Sequence, residues 1–387
     1  MFRALGAKIA SYTLLFFLGT FPSWIAIIMH DVVSGSGSIQ ASDVAGIFLS
    51  PFSFFSRGAI DPRSILNAKM SLVYSLLLLP LFAALVFRWD KKVFFALFRN
   101  ARFPQMLYHG GLLGMGMGLA FFFTRPVEVF DFFDFLGAAS LLSATLFAWY
   151  ASVVVNDTFD EAIDQKTNSF RPLPSRAIEP VLYRTIGALF FAASLFLSAL
   201  VSVSSALFLF AYQALAWAYS APPFRLKRFP VVASLLSAVA SLLVLFAGYT
   251  LISSDGSIRT FPTSIVFLFL FAYTASIPLK DFKDIEGDRS DSVWTLPVLL
   301  GPDRAKLFIA SGMFVSFLAS VFVFRAPQLF LLALLFGGWS FWGVLSMRDA
   351  KVVAGKRKTG RITYRSVLWW ILGIVFLYGL FAAGMVV

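Results

Sequence analysis

The 387-residue sequence contains no cysteine and only two histidines, His30 and His109. Without thiols there is no disulfide, zinc–thiolate site, iron–sulfur cluster or thiol nucleophile. Two imidazoles leave little scope for a His-rich metal site or for His-based acid–base catalysis. Charge is scarce as well: 13% of the residues are charged against 59% hydrophobic, with a mean hydropathy of +0.82. A soluble domain of this length does not need so much apolar material, so the composition is that of a polytopic membrane protein. The net charge of +12 fits cytoplasmic loops of such a chain better than nucleic-acid binding, and no nucleic-acid partner is expected.

Apolar stretches long enough to cross a bilayer, about 17–25 residues, lie near 11–29, 70–88, 104–123, 135–155, 182–202, 204–220, 231–252, 262–279, 304–324, 327–347 and 366–387. The N-terminus resembles a signal peptide, but it lacks an A-x-A-like cleavage site and reads as a retained first helix. With the N-terminus in the cytoplasm, 26 of the 32 Arg and Lys residues fall on cytoplasmic segments and 6 on the opposite face. That asymmetry favours eleven spans, N-terminus inside and C-terminus outside, in an integral membrane protein of the cell or inner membrane.

Two acidic clusters at the cytoplasmic ends of these segments are built alike. One reads NDTFDEAID and places carboxylates at Asp157, Asp160 and Asp164; the other reads KDFKDIEGD and places them at Asp281, Asp284 and Asp288. Both use i, i+3, i+7 spacing, which predicts three carboxylates on one helical face. Like charges in such proximity call for a divalent cation, and hard oxygen ligands suit Mg²⁺, which carboxylates commonly hold together with substrate phosphates. SFRPLPS follows the first cluster and SVWTLPV the second, so the acid-bearing unit reads as a parallel repeat. A third loop between them, Ala218–Pro230 (AYSAPPFRLKRFP), stops its preceding helix at Pro222 and Pro223. Residues 31–69 read as a polar, flexible extracytoplasmic connector. Asp131 and Asp134, in VFDFFDF, read as plain loop on the opposite face.

Together the three loops resemble the UbiA superfamily of intramembrane prenyltransferases. N-D-x-x-D-x-x-x-D is met by Asn156, Asp157, Asp160 and Asp164, and D-x-x-x-D by Asp284 and Asp288 with Asp281 one turn earlier. Y-S-x-P-P-x-R-L-K is met by Tyr219, Ser220, Pro222, Pro223, Arg225, Leu226 and Lys227. R-P-x-P is met by Arg171, Pro172 and Pro174, and T-L-P by Thr295, Leu296 and Pro297. The resemblance implies an all-α membrane helical bundle, with a nine-helix prenyltransferase core over 104–387. Residues 1–103 then form an N-terminal extension with two extra transmembrane helices and an extracytoplasmic loop.

The implied activity is Mg²⁺-dependent transfer of a prenyl group from an isoprenyl diphosphate to a small hydrophobic or aromatic acceptor. The implied catalytic metal ligands are Asp157, Asp160, Asp164, Asp284 and Asp288, joined by Asp281. Asn156 orients a neighbouring carboxylate or a metal-bound water at the diphosphate. Arg171, Lys227 and Lys280, with Arg225 in reserve, bind the diphosphate through charge-assisted hydrogen bonds, and Tyr219 faces the site or the acceptor. An aromatic quinone precursor is the first expectation for the acceptor, and a glycerol-phosphate lipid the second. A secondary transporter is the alternative of a different class; its sites sit near the bilayer midplane, whereas these acids sit at helix ends. A phosphatidyl transferase would require a D-G…A-R arrangement ahead of paired aspartates, which neither cluster has.

Overall fold

The computed structural model describes residues 61–124, 131–283, 285–290 and 293–347, with shorter stretches at 46–54 and 351–379. Apart from a short antiparallel pair, β1 (Lys351–Val353) and β2 (Lys356–Lys358), the regular structure among the described residues is helical. Eight helical segments of the described residues are long and apolar enough to cross a membrane: Pro62–Trp89, Phe103–Thr124, Phe132–Phe159, Pro180–Val201, Pro230–Ile252, Thr263–Phe282, Pro302–Val323 and Pro327–Leu345. They match eight of the spans expected from the sequence. The segment expected at 11–29 lies outside the described residues, and that at 366–387 is described in part, as an apolar helix over Trp370–Gly379.

The chain falls into two compact units. The first comprises residues 1–154, 170–213 and 244–260, the second 155–169, 214–243 and 261–387. The first unit opens with α1 (Pro62–Trp89), whose start is fixed by Pro62 at the first helical position and by the Asp61 carboxylate accepting from the Ser64 amide at 3.3 Å. A tight turn leads into α2 (Lys91–Asn100), capped by Asp90, which accepts from the amides of Lys92 and Val93. Ten residues are too few to span a bilayer, and α2 occupies a stretch that the sequence marked only by its basic charge.

α3 (Phe103–Thr124) and the start of α4 (Phe132–Phe159) follow. α6 (Pro180–Val201) and α7 (Val203–Ser220) are separate helices. Ser202 adopts extended backbone between them, and its hydroxyl accepts from the Ser205 amide at 3.0 Å, capping α7. The helices of this unit approach through glycine. A Cβ on Gly116 of α3 would sit 1.9 Å from the Leu245 carbonyl oxygen of α8 (Pro230–Ile252), and one on Gly248 would sit 2.1 Å from the Leu113 oxygen. Such backbone-to-backbone contact is how membrane helices gain packing without a hydrophobic driving force.

Asp131 and Asp134 are not plain loop. Asp134 lies in the first turn of α4, is 3% exposed, and accepts from the Ser53 hydroxyl at 3.0 Å and the Phe54 amide at 2.5 Å. Lys69 of α1 is fully buried; it pairs with Asp131 at 3.5 Å, donates to the Ser50 carbonyl at 3.0 Å and lies over the Phe133 ring. Buried charge persists only where it is paired, so the sequence-distant ends of this network hold one another in place.

In the second unit, α9 (Thr263–Ser276), α12 (Pro302–Val323) and α13 (Phe330–Leu345) surround two clusters of buried side chains. Leu279, Ile309, Met313, Val344 and Ile371 form one; Phe317, Leu329, Ala333, Ile374 and Tyr378 form the other. Three further elements, α5 (Glu161–Thr167), α10 (Ile285–Ser290) and α11 (Leu296–Leu300), are too short to span; α5 and α10 carry parts of the acidic motifs.

Candidate active site

Asn156, Asp157, Asp160, Asp164, Tyr219, Arg225, Lys227, Lys280, Asp281 and Asp288 all fall in the second unit. Arg171 belongs to the first, where its carbonyl accepts from Ser175 in a tight turn, and Asp284 lies outside the described residues.

The sequence predicts one uninterrupted helical face for the first acidic motif, and the structure differs. α4 ends at Phe159, Asp160 leaves the helical region (φ −109°, ψ 9°), and α5 begins at Glu161. Aspartate's short side chain competes with helical backbone bonding, which makes such a break cheap. The i→i−4 pattern nevertheless carries across it: the Asp160 amide donates to Asn156 at 3.0 Å and the Asp164 amide to Asp160 at 2.8 Å. The three carboxylates therefore stay one turn apart, and they are buried: Asp157 is 0%, Asp160 8% and Asp164 2% exposed. Asp164 accepts from the Asn168 side chain at 3.1 Å, and Asn156 accepts from the Ser220 hydroxyl at 3.3 Å.

Asp160 is held by the third loop. Pro222 and Pro223, joined by a cis peptide bond, cannot continue α7, and the chain turns through Arg225 in the left-handed region (φ 41°, ψ 51°) into a 3₁₀ turn over Leu226–Arg228. A non-glycine residue there is strained by about 1–3 kcal/mol, and such strain concentrates at functional sites. The turn brings two cations onto one carboxylate. Arg225 Nη2 donates to Asp160 at 3.2 Å, and Lys227 Nζ donates to both Asp160 oxygens. Burial pushes the Lys227 ammonium below the usual lysine range, against the pull of Asp160. The Arg225 Nε is buried with no partner among the described residues, an unused donor beside the acidic motif.

The second acidic motif sits on irregular backbone. Pro278 has no amide to extend the α9 ladder, and the helix gives way to a 3₁₀ turn over Ile277–Lys283. Lys280 and Asp281 lie in that turn, both half-buried, with Lys280 Nζ 5.8 Å from the centre of the Tyr219 ring. Asp288 lies in α10, half-buried, and the Trp294 amide reaches the Arg228 carbonyl at 3.4 Å, which ties the end of this motif to the cationic loop. Here too the expected single face is broken, between a 3₁₀ turn and α10.

The structure thus joins Asp160 to Arg225 and Lys227, Asn156 to Ser220, and Tyr219 to Lys280. Among the described residues no three carboxylates or imidazoles gather closely enough to hold one ion. The donor chemistry still fits a hard cation: the buried side chains are carboxylates, with oxygen donors only. Two residues with no role assigned from the sequence emerge here. Ser220 donates to Asn156, and Thr295 is buried with no partner for its hydroxyl among the described residues; both lie inside motifs visible in the sequence, but only the geometry distinguishes them.

The described residues thus form a helical membrane protein whose first acidic motif is paired with a strained cationic loop at a helix end. The profile of the UbiA prenyltransferase family matches residues 115–362, and the chain belongs to that family. It is 32% identical over 240 residues to the digeranylgeranylglyceryl phosphate synthase of Natronomonas pharaonis, an alignment covering 61% of this chain and 77% of the relative. It is likewise 32% identical over 213 residues to the synthase of the same name from Methanothermobacter thermautotrophicus, covering 53% and 67%. Its fold is similar to a UbiA homologue from Archaeoglobus fulgidus solved with GPP and Mg²⁺, with a TM-score of 0.56 at 20% identity, covering 75% of this chain and 99% of that one.

Proposed function

We propose that this membrane prenyltransferase moves a geranylgeranyl group from its diphosphate to the free hydroxyl of a prenylated glycerol phosphate. The allylic C–O bond to diphosphate breaks, an ether C–O bond to the glycerol oxygen forms, and the hydroxyl proton leaves to solvent. The observation that carries the donor half is the pairing of Asp160 with Arg225 and Lys227, which puts a buried carboxylate and two cations at one place. The names of the two relatives support the acceptor half, and they favour the glycerol-phosphate reading over the aromatic quinone precursor that the sequence put first.

In this reading Asp157, Asp160 and Asp164, with Asp281, Asp284 and Asp288, hold Mg²⁺. Held there, the ion would supply Lewis-acid stabilisation of the diphosphate leaving group. Lys227 and Arg225 supply charge-assisted hydrogen bonds to the same leaving group, assisted by Lys280. Ser220 fixes the orientation of the Asn156 amide at the motif's edge. Tyr219, beside Lys280, flanks the donor, and the apolar helices keep water from the allylic cation.

An acceptor competition tests this directly. Purified protein in nanodiscs is given labelled geranylgeranyl diphosphate, Mg²⁺, and equimolar geranylgeranylglyceryl phosphate and a hydroxybenzoate. Label in the diether phosphate is the expected result; label in the aromatic acid restores the first expectation from the sequence.

A further inference from the structure

We infer that α2 is an in-plane membrane helix whose basic edge binds the headgroups of anionic phospholipids. It lies before the residues matched by the family profile, and the proposed prenyl transfer does not use it.

Its ten residues form three distinct faces. One packs inward: Val93 and Asn100 are buried, Ala96 and Leu97 pack on the cluster containing Tyr150 and Tyr183, and Asn100 donates to the Tyr183 hydroxyl at 2.8 Å. The Tyr150 hydroxyl donates to the Leu97 carbonyl at 2.6 Å. These bonds strap the helix down, so its orientation is fixed by the fold rather than by lipid. A second face is apolar and outward. Phe95 and Phe98 are 48% and 54% exposed, next to Trp89 at 79% and Phe103 at 54%. Phe87, Phe94 and Phe95 brace one another edge to face, with centroids 5.3–6.0 Å apart. Water would be an expensive neighbour for such a face, and the boundary between headgroups and acyl chains suits it.

The third face is cationic. At 100° per residue, Lys92 and Arg99 share one edge, flanking the exposed phenylalanines. Lys91 leans over the Phe87 ring at 5.3 Å. Residues 88–103 hold five basic side chains, Arg88, Lys91, Lys92, Arg99 and Arg102, against one acid. That acid, Asp90, is spent on capping the helix. Lys92 and Arg99 are exposed and form no ion pair with any described residue. Exposed aromatics beside an uncompensated basic edge match a layer that is apolar on one side and negative on the other. An anionic bilayer surface has that chemistry, at about five-fold in local binding per basic residue.

Because the chain has no cysteine, a single Phe95→Cys reporter can be placed on the full-length protein without removing native thiols. A fluorophore there is challenged with short-range quenchers carried on phosphatidylglycerol or phosphatidylcholine headgroups, in vesicles containing both lipids. Quenching by phosphatidylglycerol at least five-fold more efficient, falling in high salt, is expected. With Lys91→Gln, Lys92→Gln and Arg99→Gln added the two lipids should quench alike, while Arg304→Gln, an exposed basic residue elsewhere, leaves the preference intact. These are surface substitutions, so an unchanged melting temperature accompanies them. Equal quenching by both lipids in the parent, an unaltered preference in the triple variant, or a fluorophore reached only by aqueous quenchers would each overturn the proposal.

Discussion

Lys227 and Asp160, 67 residues apart in sequence, are joined by an ion pair in which one ammonium reaches both oxygens of one carboxylate. The pair locks the strained Arg225 turn onto the break between α4 and α5, and both side chains are about nine-tenths buried. Lys227→Ala should raise the KM for the prenyl donor roughly 10–100-fold, the worth of a hydrogen bond to a charged group, with Lys227→Arg recovering part of the loss. Steady-state kinetics over donor concentration check this. An unchanged donor KM would remove Lys227 from the diphosphate site.

Asp157 is fully buried one turn before the break. Asp157→Ala should lower kcat by on the order of 1000-fold, since metal-held charge stabilisation amounts to several kcal/mol. Asp284→Ala should do the same. Both variants should still insert and elute as the parent does. Near-normal transfer by either would withdraw that residue as a metal ligand.

Glycine contacts make a sharp test of packing in the first unit. Gly116→Ala forces a methyl to within 1.9 Å of the Leu245 oxygen, whereas Gly118 has nothing within 4 Å of its virtual Cβ. Thermal unfolding in detergent should show Gly116→Ala destabilised by about 1–3 kcal/mol. Gly118→Ala should be neutral or more stable by up to about 1 kcal/mol, from helix propensity alone.

Lys69→Met leaves the Asp131–Asp134 pair without its cation and should cost about 3 kcal/mol, as breaking buried pairs does. The double variant Lys69→Met/Asp131→Asn should recover much of that, measured as a coupling in unfolding free energy. Deleting residues 1–103 also strips Asp134 of Ser53 and Phe54, so the truncated chain should melt well below the full-length protein.

Eight of the spans were legible because long apolar runs at bilayer length have few other uses. The three polar motifs were legible by residue type and order. Three things were not. The cations that pair with Asp160 at the kink, Arg225 and Lys227, arrive from a distant loop, which no local pattern encodes. Helix α2 was too short for a span and its basic residues drew the reading toward loop. Asp134 looked like a loop acid because its partners, Ser53 and Phe54, lie about 80 residues earlier. The acceptor left no signature in any residue type, and the glycerol-phosphate proposal leans on the names of the relatives.

The most direct measurement follows labelled geranylgeranyl diphosphate with geranylgeranylglyceryl phosphate, comparing the parent with Asp157→Ala, each with Mg²⁺ or with EDTA. A labelled diether phosphate is expected only from the parent with Mg²⁺. Equal product in EDTA, or from Asp157→Ala, would contradict it.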